Sequence, residues 1–337
     1  MSSLQAVACT GTGRRYLAAG LLVTLAASIS ACGGTENDSE VLANCAETYT
    51  VGFSHPVGEA QFVKAVKEYT AKYGSEKCVN VLLDNTTANS LESQRSTIEN
   101  WVTQQVDAIV LWPVDPSAYT NLMKKAQGQG TKWLTYVASM EGEDGGVGFD
   151  AKQEGDTIAA DVSSWVKENY PNGGVQAAVT TLTTQPTARG RWEPPLEALS
   201  QLNIPVVSKQ DCADQTCGLQ IAGDALRENP DLRIFVGFND DSALGAQKAV
   251  QNAGLDPDTV YISGHDGSPE GLNGVKDNVA GFRATTAIPV DVLGRSIIDN
   301  SLAAISGNGE TFSLTETTLV HPDDVEEIDN LLRSLGQ

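Results

Sequence analysis

The chain has 337 residues, more than one ordinary core uses, with 43 acidic against 22 basic residues and a formal charge of −21. So acidic a chain repels phosphate backbones, and no basic stripe offsets the repulsion, so a nucleic-acid partner is excluded. The Gly-x-Gly-x-x-Gly fingerprint, the phosphate-binding P-loop and the Gly-x-Ser-x-Gly elbow are all absent, so neither a cofactor nor an enzyme is indicated.

At the start, Arg14-Arg15 precede an apolar run, Tyr16 to Ile29, and small residues lead into Cys32. A positive segment, a short apolar segment and a small-residue cut site make a secretory signal, and the run is too short for a spanning helix. Ile29-Ser30-Ala31-Cys32 also resembles a bacterial lipobox, in which the chain is cut before the cysteine and its thiol is acylated. The expectation is a signal peptide over 1–31, a lipid anchor at Cys32 and a flexible polar linker over 32–46. The protein would then stand on the outer face of the cytoplasmic membrane, touching it through the anchor alone. Loss of 1–31 removes two arginines and no acid, deepening the charge from −21 to −23.

With Cys9 in the signal and Cys32 at the anchor, Cys45, Cys78, Cys212 and Cys217 remain. An even number in an exported chain reads as two disulfides, with three pairings possible. Cys45 and Cys78 each precede a predicted strand, and adjacent parallel strands would bring those starts together. Cys212 and Cys217 are close enough to clip one loop, so these two bridges are expected. The histidines are His55, His265 and His321, none at ligand spacing to a cysteine, so no metal site is expected.

From Thr48 the pattern is strand then helix, repeated. A strand at Tyr49 to Phe53 leads through Ser54-His55-Pro56-Val57-Gly58 to a helix with Phe62, Ala65, Val66, Tyr69 and Tyr73 on its apolar face. Strands follow at Val79 to Leu83, Ala108 to Trp112 and Lys132 to Val137, separated by amphipathic helices; four such units make a parallel sheet. Gly142 to Gly148 reads as a flexible hinge. A helix from Glu154 to Asn169, with Ile158, Val162, Trp165 and Val166 inward, opens a second series. Its strands are Val175 to Thr181, Pro205 to Ser208, Ile234 to Phe238, Val260 to Ser263 and Gly281 to Thr285. A long helix with Val292, Ile297, Ile298, Leu302 and Ile305 inward returns to the first series, and the chain ends with a strand (Glu316 to Val320) and an acidic helix. Asn239 and Asp266 therefore stand at the carboxyl ends of neighbouring parallel strands, where open α/β sheets bind small ligands.

Phe238-Asn239-Asp240-Asp241-Ser242-Ala243-Leu244-Gly245 and Gly264-His265-Asp266-Gly267-Ser268-Pro269-Glu270-Gly271 resemble the ribose-type periplasmic sugar-binding proteins of ABC importers. Trp112-Pro113-Val114-Asp115, Phe149-Asp150 to Gly155, Ala188-Arg189-Gly190-Arg191 and Ala284-Thr285-Thr286-Ala287 extend the resemblance from about Tyr49 to Val320. It implies an α/β fold of two Rossmann-like lobes with parallel sheets, joined by three hinge crossings, with a ligand cleft between the lobes. The first lobe would be 47–148 plus 288–315, and the second 149–287 plus 316–337 with the C-terminal helix; Asp150 and Ala287 would lie at hinges.

Carried over, the resemblance puts sugar contacts on Arg191, Asn239 and Asp266, residue types that make directional hydrogen bonds to hydroxyls. Arg189 competes with Arg191 for its role, and Asn239 is also placed to cap the helix after it. The first lobe departs from the pattern. His55-Pro56-Val57-Gly58-Glu59 stands where ribose-type proteins have an Asn and paired Phe, Tyr136-Val137-Ala138 replaces an Asp-Arg, and Trp112 replaces an Asn. Trp112 is either an aromatic wall for a ring or a packed strand end. His55 and Glu59 are candidate polar contacts, Glu59 being also a helix-start acid; Trp192 is a further candidate wall.

These readings together describe a monomeric, exported binding lipoprotein that captures a sugar or polyol and passes it to an ABC permease. Two rivals remain: a sensor presenting its closed form to a receptor, and a hydrolase using His265 and Asp266.

Overall fold

The computed structural model describes residues 42–43, 45–84 and 90–335. The expected signal, Cys32 and most of the linker lie outside the described residues. No helix among the described residues is long and apolar enough to cross a membrane.

Strand and helix alternate through β1 (Tyr49–Ser54), α1 (Gln61–Glu76), β2 (Val79–Leu83), α2 (Leu91–Gln104), β3 (Ala108–Leu111), α3 (Pro116–Gly128), β4 (Lys132–Tyr136) and β5 (Gly145–Gly148). The second run is α4 (Ala151–Asn169), β6 (Gln176–Thr181), a 3-10 turn (Pro186–Arg191), α5 (Glu193–Gln201), β7 (Val206–Asp211), α6 (Gln215–Glu228) and β8 (Leu232–Val236). It continues with α7 (Asp240–Ala253), β9 (Tyr261–Asp266), α8 (Pro269–Lys276) and β10 (Phe282–Ala287). After these come α9 (Val290–Ser306), β11 (Phe312–Leu314), β12 (Thr318–Val320) and α10 (Val325–Ser334).

Two six-stranded sheets result, ordered β11-β5-β4-β3-β1-β2 and β12-β10-β9-β8-β6-β7. Every pairing is parallel except that of β12 with β10. Strands covered on both faces must be apolar at every position, and β3 shows it. Ala108 and Val110 enter the core that spans the two lobes, while Ile109 and Leu111 enter a separate cluster with Trp101, Tyr119 and Trp133. The chain passes between the sheets three times: from β5 to α4, from β10 to α9 and from β11 to β12. α9 does pack on the first sheet's side, lying close enough to α1 that a Cβ on Gly294 would come within 2.7 Å of the Tyr69 ring.

The parallel register Tyr49↔Val79 brings the starts of β1 and β2 together, and the Cys45–Cys78 disulfide spans them; Cys212–Cys217 clips the end of β7 to the start of α6. Two readings need correction. Gly145–Gly148, expected within a hinge, is β5, paired between β4 and β11. Its glycines reflect crowding rather than flexibility: a Cβ on Gly145 would lie 2.4 Å from the Thr311 carbonyl. Val292, expected inward, lies on the exposed face of α9.

Candidate functional site

The second sheet brings charge to its carboxyl edge. Glycines set the approach: a Cβ on Gly155 would lie 1.8 Å from the Gly190 carbonyl, so the 3-10 turn rests directly on α4. That contact carries Arg191 to Glu154, with Nε to Oε2 at 2.9 Å, while its Nη2 reaches Asp266 Oδ1 at 2.8 Å. Arg191 is 3% exposed and Glu154 fully buried, and the guanidinium lies 4.8 Å from the Phe149 ring and 5.6 Å from that of Phe238. Asp266 holds a positive φ of 102°, a conformation that non-glycine residues adopt mainly where surrounding structure enforces it. Enforcement is visible in the bond from Ile288 N–H to its carbonyl and in Gly267, whose φ of +69° turns the chain against Ala287. Asn239, after β8, caps α7: its Oδ1 accepts from Ser242 N–H at 3.0 Å, and its Nδ2 donates to the Ala213 carbonyl at 3.1 Å.

The first sheet brings rings. His55 follows β1, Trp112 follows β3 and Tyr136 ends β4; the His55 ring stands edge-on to Trp112 at 5.1 Å and to Tyr136 at 5.3 Å. His55 Nδ1 accepts from Val57 N–H at 3.1 Å, which puts the ring proton on Nε2. Trp112 Nε1–H donates across the lobes to Thr187 Oγ1 at 2.8 Å, and Gln61 N–H donates to Asp241 Oδ2 at 3.2 Å.

Between the two edges lies a cavity of about 20 Å3, lined by His55, Trp112 and Tyr136 on one side and Arg191, Asn239 and Asp266 on the other. Phe62, Val63, Phe149 and Phe238 complete its walls. It has space for about one water, far less than a sugar ring needs. A wider space of about 660 Å3 opens beside it, sharing Val57 and Ala60 with the cavity. Glu59 lies at that mouth, exposed and paired with Lys64 at 3.1 Å, and does not line the enclosed cavity. Trp192 is buried behind the cavity against Phe238 and does not line it either. Arg189 is exposed and paired with Glu193, so of the two arginines it is Arg191 that faces the cavity. Asp150 caps α4 at the first crossing, and Ala287 ends β10 beside the second.

Sequence reasoning missed Glu154 as a site residue, although a signal exists: it stands one turn before Ile158 and two before Val162, on the apolar stripe of α4. Phe149, the first residue after β5, and Phe238, the second after β8, were likewise missed as walls.

Burial sets the protonation of this cluster. It raises Glu154 to about 7 and Asp266 to about 6, with Arg191 pulling both back down. Asp240, taking bonds from Ser268 N–H and Thr285 Oγ1–H at 2.6 Å each, is pushed well above the carboxylate range by burial and then by Asp266. Burial and neighbouring cations hold His55 and His265 neutral. His265 Nδ1 is bonded to Thr286 Oγ1 at 2.6 Å, and the ring does not line the cavity. The site can therefore offer donors and acceptors between stacking surfaces, with no nucleophile and base pair.

Comparison with known proteins agrees with this architecture. The ribose import binding protein RbsB of Bacillus subtilis is 27% identical over 250 residues, 73% of this chain and 78% of that protein. The D-xylose-binding periplasmic protein of Escherichia coli is 28% identical over 226 residues, 65% of this chain and 66% of that one. Among solved structures, a Mycobacterium smegmatis protein in complex with beta-D-fucofuranose superposes with a TM-score of 0.75 at 21% identity, covering 86% of this chain and 98% of that one. An ABC transporter periplasmic solute-binding protein of Actinobacillus succinogenes with bound D-allose gives 0.74 at 20% identity, over 83% of this chain and all of that one. These two structures show the shared fold. The model of the periplasmic binding protein domain matches residues 51–309, and the chain belongs to that family.

Proposed function

We propose that this chain is the exported solute-binding component of an ABC importer, taking a small sugar or polyol between its lobes. It is a binding protein and makes or breaks no bond. The observation that carries the reading is the enclosed cavity at two opposed carboxyl sheet edges, with Arg191 and Asp266 on one side and the rings of Trp112 and Tyr136 on the other. Rings stack on the apolar face of a pyranose or cyclitol while the charged pair bonds its hydroxyls. Because the cavity holds about one water's volume, a sugar enters only when the lobes part, and closure about the segments near Asp150 and Ala287 then buries it. The bond from Trp112 to Thr187 and that from Gln61 to Asp241 are the contacts that parting must break.

In this reading the protein acts as a monomer held at the outer face of the membrane by acylated Cys32, and the permease opens the lobes for release. An affinity near micromolar, about −8 kcal/mol, fits a site that must also let go. A thermal-shift screen of the purified protein over sugars, polyols, nucleosides and amino acids tests it. A sugar or polyol as the main stabiliser is expected; stabilisation only by amino acids or nucleosides would overturn it.

A further inference from the structure

The charges around the cavity do not balance. Among the described residues Arg191 is the one cation that lines it, and it is shared between two buried carboxylates, Glu154 and Asp266. Asp240 is a third buried acid nearby, held by Ser268 and Thr285; leaving it aside, the cluster still sets two carboxyl groups against one cation. The other buried cation of the region, Lys67, is engaged with the Asp84 carbonyl and lies beside the Asp84 carboxylate, so it does not make up the difference. A buried charge without a partner is costly, and a site that keeps one is built to have it neutralised.

The uncompensated group also has a free end in the right place. Asp266 is 7% exposed and lines the cavity; Arg191 occupies its Oδ1, and Oδ2 takes no hydrogen bond from any described residue. Trp112, Tyr136, Phe149 and Phe238 line the same small space, and ring faces attract cations. The approach points the same way. Glu59, Asp211, Asp214 and Asp241 line the wider mouth, and among the described residues no lysine, arginine or histidine lines it, Lys64 pairing with Glu59 from outside. Such an entrance raises the local concentration of cations and repels carboxylate or phosphate solutes.

We propose that the solute is a cationic sugar or cyclitol, one whose ammonium group sits against Asp266 Oδ2 between the aromatic walls while its hydroxyls take the remaining donors. This narrows the solute class and rests on the reading of the cavity as the solute site. Arg191 then neutralises Glu154, the ligand neutralises Asp266, and the closed site is balanced. Before binding, the cluster lowers its excess by holding a proton, in keeping with the raised affinity of Glu154 and Asp266 for one. The groups facing that proton are Arg191, Asp266, Tyr136 and Thr286 around Glu154, with His265 neutral behind Thr286, and Arg191, Asp240 and Asp241 around Asp266. An arriving ammonium expels it.

The test is isothermal titration of the purified protein with matched pairs: glucosamine and glucose, galactosamine and galactose, an inosamine and its parent inositol. At least one amine should bind about tenfold or more tightly than its neutral partner, and more weakly as salt is raised. At pH 6, where the ligand ammonium is fully charged, amine binding measured in buffers of different ionisation enthalpy should release close to one proton, and neutral binding clearly less. Glu154→Gln should cut the amine-to-neutral affinity ratio by about tenfold. If that variant does not fold, the proton release of the unmodified protein decides. Amine binding no tighter than neutral binding in every pair, or amine binding without proton release, overturns the inference and leaves the sugar-or-polyol reading standing. Absence of binding by every member of both series overturns that reading as well.

Discussion

The second sheet meets the cavity with a buried ion cluster, Arg191 between Glu154 and Asp266, whereas the first meets it with a group of rings, His55, Trp112 and Tyr136. Both edges are built alike, from carboxyl ends of parallel strands covered by helices, so the contrast comes from the side chains and not from the fold. Charged groups in a low-dielectric site give direction, since each bond has one good geometry; rings give area with little angular demand. A solute held this way is oriented by the second lobe and covered by the first. The division also sets up two expected kinds of fragility: loss of an ion-cluster member is expected to act first on folding, and loss of a ring also on binding.

The sharpest way to break the comparison is to remove Arg191. Arg191→Met leaves Glu154 and Asp266 facing each other unpaired and should cost about 3–5 kcal/mol of stability, measured by urea unfolding. A loss below about 1 kcal/mol would mean the cluster is not structural. Asp266→Asn should behave differently. It keeps a residue that tolerates positive φ and leaves Arg191 matched one-to-one with Glu154, so unfolding should change little. Solute affinity should fall about ten- to a hundredfold by titration calorimetry, since a charged hydrogen bond is worth about 1.5–3 kcal/mol. Unchanged affinity would take Asp266 out of the site.

On the first-lobe side, Trp112→Ala removes a ring and the link to Thr187. Binding should weaken about tenfold, seen equally in the dissociation rate, with the direction of solute preference kept. A switch of preference instead would mean that the first lobe reads identity.

The smallest expected effect is on pH dependence. Glu154 and Asp266 have folded values above their ordinary ones, so the folded protein binds more protons than the unfolded chain between about pH 4 and about pH 7. Stability therefore falls as pH rises through that window and is flat with respect to these groups above it. Melting temperatures followed from pH 5 to 8 should show the decline, and Glu154→Gln should shallow it. A profile from that variant as steep as the original would assign the slope to other groups.

Much of this was readable from residues alone. Alternating apolar runs and 3.6-period helices locate both sheets; Cys45 and Cys78 were paired on strand starts that parallel pairing brings together, and Cys212 and Cys217 on their closeness in sequence. Asn239 and Asp266 were legible because a polar residue where an apolar strand gives out, at the carboxyl edge of the sheet, is placed for a ligand or a cap, and Asn239 does cap α7. What stayed hidden depends on contacts between distant segments. Gly145–Gly148 carries no side-chain periodicity, so only the close approach of Thr311 reveals it as a strand. Glu154 stands on the apolar stripe of α4, but its partner stays hidden until the 3-10 turn at Gly190 is set against α4 and brings Arg191 to it. Glu59 and Trp192 are next to cavity residues in sequence and outside the cavity in space, because one opens onto the mouth and the other packs behind Phe238.

The central claim is that one lobe orients the solute and the other covers it, and a crystal structure of the protein grown with its tightest solute tests it most directly. The account predicts solute density between Trp112 and Tyr136 on one side and Arg191 and Asp266 on the other, with its charged contacts made from the second lobe. Density confined to the mouth near Glu59 and Asp211, or directional contacts made chiefly by the first lobe, would contradict it.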